Sequence, residues 1–136
     1  MRRLLPAVLL CFSCGGVNTA QPVSIEEFSV SESGYNSVVF YAKVRSAHTP
    51  VSVHLSYATS ESPKRASFNP YYCSQSYCEI TIRCTLYSVA DREMLECLYP
   101  DNTLHAGEII RGKSYTFYLK ACVDGICDAK SVNKTF

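Results

Sequence analysis

The chain contains no tryptophan and no excess of charge of either sign, since 13 basic residues stand against 12 acidic ones. A near-neutral chain of this kind offers no basic face for nucleic acid. Long apolar runs are lacking as well, because the run at residues 4–12 is well short of the roughly 20 residues that a membrane-spanning helix requires. We therefore expect neither a nucleic-acid partner nor a membrane span.

The first 20 residues follow the three-part pattern of a secretory signal peptide. Arg2 and Arg3 precede the apolar run, and small and polar residues follow it. Cleavage near residue 20 leaves residues 21–136, a length typical of one domain, with 11 basic and 12 acidic side chains. We therefore expect residues 1–20 to be a signal peptide and residues 21–136 to form one secreted, extracellular domain.

Six of the eight cysteines remain after residue 20, and all six lie in the C-terminal half: Cys73, Cys78, Cys84, Cys97, Cys122 and Cys127. Thiols of an exported protein meet an oxidising environment and pair, whereas the same spacings in a cytosolic chain suggest a metal site. The signal peptide therefore favours disulfides. Residues 21–72, which lack cysteine, must be held by burial alone.

Alternation of apolar and polar residues with a period of two predicts strands at residues 38–45, 51–57, 79–84 and 115–121. Residues 58–70 lack this pattern and predict an exposed loop. Residues 91–98 fit either a helical turn or a strand. Because no sustained helical period follows residue 20, the predicted class is all-β.

The segment from Cys122 to Cys127 has Asp124 and Gly125 at its centre. A two-residue type I′ hairpin favours Asp-Gly because both positions need a positive φ. Cys122 and Cys127 then form the second pair from the turn, where side chains approach most closely, so a disulfide between them is expected. Cys73 with Cys78 and Cys84 with Cys97 are the preferred remaining pairs, although six cysteines admit other pairings.

Several residues near the C-terminus resemble the fibronectin type III pattern Leu-x-x-Gly-x-x-Tyr-x-Phe-x-Val-x-Ala: Ile110, Gly112, Tyr115, Phe117, Leu119 and Ala121. The resemblance extends less specifically over most of residues 22–132. It implies an antiparallel, immunoglobulin-like β-sandwich in which the Tyr115 hydroxyl bonds the turn around Arg111 and Gly112. The tryptophan that the family buries on its second strand is replaced by Phe40 or Ala42. Residues 73–107 are longer than the family pattern, which predicts an inserted hairpin.

No group of side chains indicates catalysis. His48, His54 and His105 are not at metal-ligand spacings, and oxidised cysteines supply no thiolate nucleophile. We therefore expect no enzyme activity, no cofactor and no metal. Asn133 begins an Asn-Lys-Thr sequon and is the predicted glycosylation site, with an unmodified polar tail as the alternative.

The chain has ten tyrosines and six phenylalanines, which serve either a recognition surface or a core without tryptophan. We expect a disulfide-stabilised module that binds an extracellular or cell-surface protein, through loops at one end or through residues 71–78. The alternatives are a structural component of an extracellular matrix or mineralised layer, and a gland-secreted effector or toxin-like protein.

Overall fold

The computed structural model describes residues 22–59 and 62–136, and of residues 62–66 it describes the backbone alone. The predicted signal peptide and its cleavage position lie outside the described residues. The described residues form ten strands and no helix: β1 (Val23–Gly34), β2 (Ser37–Ser46), β3 (Val51–Thr59), β4 (Ser62–Ser67), β5 (Tyr71–Cys73), β6 (Tyr77–Val89), β7 (Arg92–Leu98), β8 (Leu104–Ile109), β9 (Ser114–Val123) and β10 (Ile126–Thr135).

The strands form two antiparallel sheets that pack as a sandwich. The first sheet has the order β1-β2-β6-β7-β8, and the second has the order β10-β9-β3-β4, with β5 also paired to β3. The chain thus passes between the sheets three times, after β2, after β5 and after β8. The predicted all-β sandwich class is confirmed.

Aromatic side chains fill the space between the sheets. Phe40 on β2 and Phe117 on β9 are both buried, with ring centroids 4.6 Å apart. Tyr57 on β3 lies 5.1 Å from Phe117, measured between the ring centroids. Burying one such side chain contributes about 1.5–3 kcal/mol. Phe40 is one of the two residues expected to stand in place of the single tryptophan of the fibronectin type III pattern, the other being Ala42.

Specific contacts join the edges of the two sheets. The backbone N–H of Ile25 on β1 donates to Asp128 Oδ2 on β10 at 2.7 Å. Farther along the same two strands, Lys134 Nζ donates to Glu32 Oε2 at 2.6 Å. These bonds satisfy polar groups that an open sheet edge would otherwise expose.

The structure contains the disulfides Cys73–Cys78, Cys84–Cys97 and Cys122–Cys127, which are the three preferred pairs. Cys122 and Cys127 face each other across β9 and β10, and the turn residues Asp124 and Gly125 have φ values of 52° and 79°. The Cys73–Cys78 bridge links β5 in the second sheet to β6 in the first.

The structure also corrects two expectations and decides one that was open, since residues 91–98 fitted either a helical turn or a strand. Residues 58–70 are not a continuous loop, because β4 pairs with β3 through backbone hydrogen bonds that require no apolar pattern. Residues 91–98 contain strand β7, which forms the added hairpin with β6. Ile109 rather than Ile110 holds the core position before Gly112, with exposed fractions of 2% and 55%.

Candidate functional site

One end of the sandwich is formed by three turns, which we call the turn end. They are the β1–β2 turn of Tyr35 and Asn36, the β6–β7 turn of Ala90 and Asp91, and the β8–β9 turn at residues 110–113. The antiparallel pairing of β1, β2, β6, β7 and β8 brings all three turns to the same end. Turns held on a sheet scaffold are a common location for binding residues.

Arg111 links the three turns. Its Nε donates to Glu93 Oε1 and its Nη2 donates to Asn36 Oδ1, both at 3.0 Å. The Ser88 hydroxyl donates to Glu93 Oε2 at 2.5 Å. The Ser88 hydroxyl, and then the Arg111 guanidinium, hold the pKa of the Glu93 carboxyl below its usual range.

The β8–β9 turn is also fixed by hydrogen bonds to Tyr115 and Phe136. Tyr115 is buried, and its hydroxyl accepts a hydrogen bond from the Ile110 N–H at 2.9 Å. The N–H of Gly112, whose φ is 84°, donates to the Phe136 carbonyl at 2.7 Å. The Phe136 ring packs edge-on against Tyr115 at a centroid separation of 6.2 Å. The resemblance implied that the Tyr115 hydroxyl bonds the turn around Arg111 and Gly112. The bonded group is the N–H of Ile110, which directly precedes Arg111.

Each turn presents an apolar side chain at or beside its tip. Tyr35 is 93% exposed, Ile110 is 55% exposed, and Val89, which directly precedes the β6–β7 turn, is 47% exposed. Isolated exposed apolar residues are ordinary at protein surfaces. These three lie on or beside turns that Arg111 connects through hydrogen bonds. A rigid apolar surface of this kind loses little conformational entropy when it binds a partner.

A small cavity lies beside this surface, between the β1–β2 turn, Arg111 and Phe136. Its volume is about 90 Å³. Small-molecule sites usually measure roughly 300 Å³ or more. The turn end therefore suits contact with a macromolecule better than enclosure of a small ligand.

The opposite end carries residues 71–78 and the β9–β10 hairpin, and we call it the disulfide end. Tyr72 is 63% exposed, whereas Tyr71 and Tyr77 are half-buried. The Arg45 guanidinium lies 4.8 Å from the Tyr77 ring centroid and pairs with Glu26. Because Tyr71 packs against the core and Tyr77 against Arg45, Tyr72 is the one tyrosine of residues 71–78 that is largely exposed.

The three histidines lie apart from one another. His48 is exposed in the β2–β3 connection, and His54 is half-buried on β3 opposite Lys120. His105 on β8 packs against Phe68 and Tyr99, with ring centroids 5.7 Å and 4.6 Å away. Within residues 22–59 and 62–136, no group of three histidine, cysteine or acidic side chains is arranged to hold a metal ion.

Asn133 is exposed on β10 rather than in a tail, and its Oδ1 accepts a hydrogen bond from the Thr116 hydroxyl at 2.9 Å. Glycosylation here stays a prediction. A glycan on Asn133 would stand on the outer face of the second sheet, beside Thr116.

Sequence reasoning missed Tyr35, although a signal was present. Gly34 and Asn36 are turn-forming residues on either side of Tyr35, and turns lie at the protein surface. Ile110 was matched to the leucine of the fibronectin type III pattern, although the Leu-x-x-Gly spacing counted back from Gly112 falls on Ile109.

No helix in the described ranges is long and apolar enough to cross a membrane. The chain matches no protein-family model, no curated protein and no solved structure.

Proposed function

We propose that the protein is a secreted, fibronectin type III-like module that binds an extracellular or cell-surface protein through its turn end. The strand order supports the family assignment. In immunoglobulin-type sandwiches strands A, B and E are neighbours in one sheet, and C, F and G are neighbours in the other. Here β1, β2 and β6 are neighbours in one sheet, and β3, β9 and β10 are neighbours in the other.

The Tyr115 hydroxyl bond to the Ile110 N–H further supports this family, because it is the tyrosine-corner contact. The chain departs from the pattern by adding β7 and β8 to the edge of the first sheet and by lacking tryptophan. The three disulfides are compatible with an extracellular location.

The observation that carries the binding proposal is the set of exposed apolar residues on three turns fixed by Arg111. Tyr35 carries most weight in this set, because tyrosine is enriched among the residues that dominate protein interfaces. The small size of the adjacent cavity and the scattered histidines favour binding over catalysis as the working hypothesis.

A pull-down with residues 21–136 as bait, from the extracellular fluid and membranes of the source, tests this function. The test variant changes Tyr35, Val89 and Ile110 to serine. The matched control changes the exposed Tyr72 and Ile126 of the disulfide end to serine. We expect the wild type and the control to retain the same saturable partner and the test variant to lose it. A partner retained equally by all three proteins would contradict the turn-end assignment.

A structural role in an extracellular matrix is the second candidate. It is favoured by the position of the two most exposed tyrosines, Tyr35 and Tyr72, at opposite ends of the molecule. Hydrolysis of native material followed by chromatography for dityrosine tests this role. Its presence in insoluble native material would support the role, and soluble, dityrosine-free native protein would exclude it.

A further inference from the structure

Tyr35 and Tyr72 differ from the other tyrosines in how freely solvent reaches them. Their exposed fractions are 93% and 63%, and the next most exposed tyrosine, Tyr87, has 36%. Tyr35 lies in a two-residue turn, and Tyr72 lies on the three-residue strand β5. Both phenol rings are therefore accessible to a second protein molecule.

Of the other eight tyrosines, seven are buried or half-buried. Tyr57, Tyr99 and Tyr115 are buried. The Tyr41 hydroxyl donates to Glu79 Oε1 at 2.9 Å, and the Tyr77 ring lies beneath Arg45. A reagent that needs ring-to-ring contact between molecules thus meets chiefly two tyrosines.

The two accessible rings are too far apart to meet within one molecule. β2 begins directly after the turn of Tyr35 and ends beside the connection that leads to β3. Tyr72 pairs with Ser52, near the beginning of β3. The ten residues of β2 therefore span the distance between the end that carries Tyr35 and the end that carries Tyr72. At about 3.3 Å per residue this distance is roughly 30 Å. A bond between Tyr35 and Tyr72 must therefore join two molecules.

We propose that Tyr35 and Tyr72 are sites of oxidative tyrosine coupling, through which copies of this protein join end to end into chains. The proposal rests on the second candidate function above. The oxidant is a peroxide acting through a haem peroxidase. Each of two phenols loses one electron and one proton, and the two tyrosyl radicals couple by a carbon–carbon bond ortho to the hydroxyls. Rearomatisation restores both phenols, and hydrogen peroxide is reduced to two molecules of water.

Two reactive tyrosines at opposite ends make the protein a bifunctional monomer. A molecule with one reactive end stops at the dimer, whereas a molecule with two continues to grow. The number of reactive ends is therefore read directly from the size of the products.

The experiment treats purified, disulfide-bonded protein of residues 21–136 with hydrogen peroxide and a haem peroxidase. Products are resolved on denaturing gels, and dityrosine is measured by fluorescence and by mass spectrometry of cross-linked peptides. We expect a ladder of oligomers from the wild type, loss of every species above the dimer from Tyr35→Phe and from Tyr72→Phe, and monomer from the double variant. Tyr87→Phe is the matched control and keeps the ladder.

A ladder that persists in the double variant overturns the proposal, as does dityrosine confined to monomer through coupling of Tyr35 with Tyr87. Circular dichroism of each variant shows that the fold is retained. Failure of the matrix role is recognised separately, because dityrosine-free native material removes that role while the coupling of purified protein still occurs.

Discussion

Replacement of Gly107 by alanine should destabilise the sandwich because Gly107 lies against a buried tyrosine. A Cβ at this position would overlap the Tyr57 hydroxyl oxygen and lie 2.9 Å from its Cζ. The Tyr57 ring cannot move away freely, since it is buried against Phe68 and Phe117 with ring centroids 5.7 Å and 5.1 Å away. Its hydroxyl also donates to the Glu108 carbonyl at 3.0 Å.

The size of the destabilisation follows from two effects that destabilise the folded protein and one that offsets them. Overpacking of a core costs about 1–3 kcal/mol, and loss of the Tyr57 hydrogen bond leaves a largely buried hydroxyl unpaired at a cost of about 1–3 kcal/mol. The reduced entropy of the unfolded chain offsets about 0.4–1 kcal/mol. We expect Gly107→Ala to lower the free energy of unfolding by about 1–5.5 kcal/mol and Tm by roughly 4–20 °C.

Urea denaturation followed by circular dichroism measures this change. Gly34→Ala is the matched control, because a Cβ at Gly34 meets only Ser37 at an ordinary 3.9 Å. Tyr57→Phe removes the overlapping oxygen, so the double variant Gly107→Ala/Tyr57→Phe should be at least about 1 kcal/mol more stable than the sum of the single changes predicts. A Gly107→Ala protein within about 0.5 kcal/mol of the wild type, or strictly additive changes, would refute this reasoning.

Three further predictions concern the turn end and the disulfides. Tyr115→Phe removes the acceptor for the Ile110 N–H and should lower the free energy of unfolding by about 1–2 kcal/mol in urea denaturation, whereas Tyr35→Phe should leave it unchanged. Ser88→Ala should raise the pKa of Glu93 toward its usual value in an NMR pH titration, while Lys134→Gln should raise that of Glu32 alone. Because both carboxyl pKa values are lowered in the folded protein, their stabilisation is present above the usual carboxyl range and is lost as pH falls through the folded values. Limited reduction should open Cys122–Cys127 before Cys84–Cys97, since Cys127 is exposed and both cysteines of the other pair are buried, as peptide mapping after alkylation would reveal.

Each of these expectations has a contradicting outcome. An unaltered denaturation midpoint for Tyr115→Phe would mean that water replaces the hydroxyl at no cost. A Glu93 titration unaffected by Ser88→Ala would show that Arg111 alone sets its pKa. Early alkylation of Cys84 or Cys97 would indicate that β6 and β7 open before the hairpin does.

Much of the fold was predictable because the relevant information is local. Alternating residues 38–45 and 51–57 read directly as β2 and β3, since side chains of a strand point to opposite faces in turn. β4 was not assigned because backbone pairing with β3, rather than an apolar pattern, places it in the sheet. β7 was left open because its apolar residues fit a helical spacing as well as the alternation of a strand. The predicted disulfide pairs Cys122–Cys127 and Cys84–Cys97 both join adjacent antiparallel strands.

The candidate site was less predictable because it is assembled from distant segments. Asn36, Glu93 and Arg111 are brought together only when β1, β7 and β9 are in place. The exposure of Tyr35 and Ile110 depends on the turn in which each residue lies, and the composition pointed instead to residues 71–78.

The sequence by itself determined the period of the strands, the turn at Asp124 and Gly125, and the bridge that this turn places between Cys122 and Cys127. These features depend on φ preferences and on neighbours a few residues apart. The tertiary structure decided that Cys73–Cys78 links the two sheets, that Gly107 leaves room for Tyr57, and that Tyr35 and Tyr72 lie at opposite ends. Those features depend on how the two sheets pack. Packing brings together residues that are far apart along the chain, and no local sequence pattern shows that they are in contact.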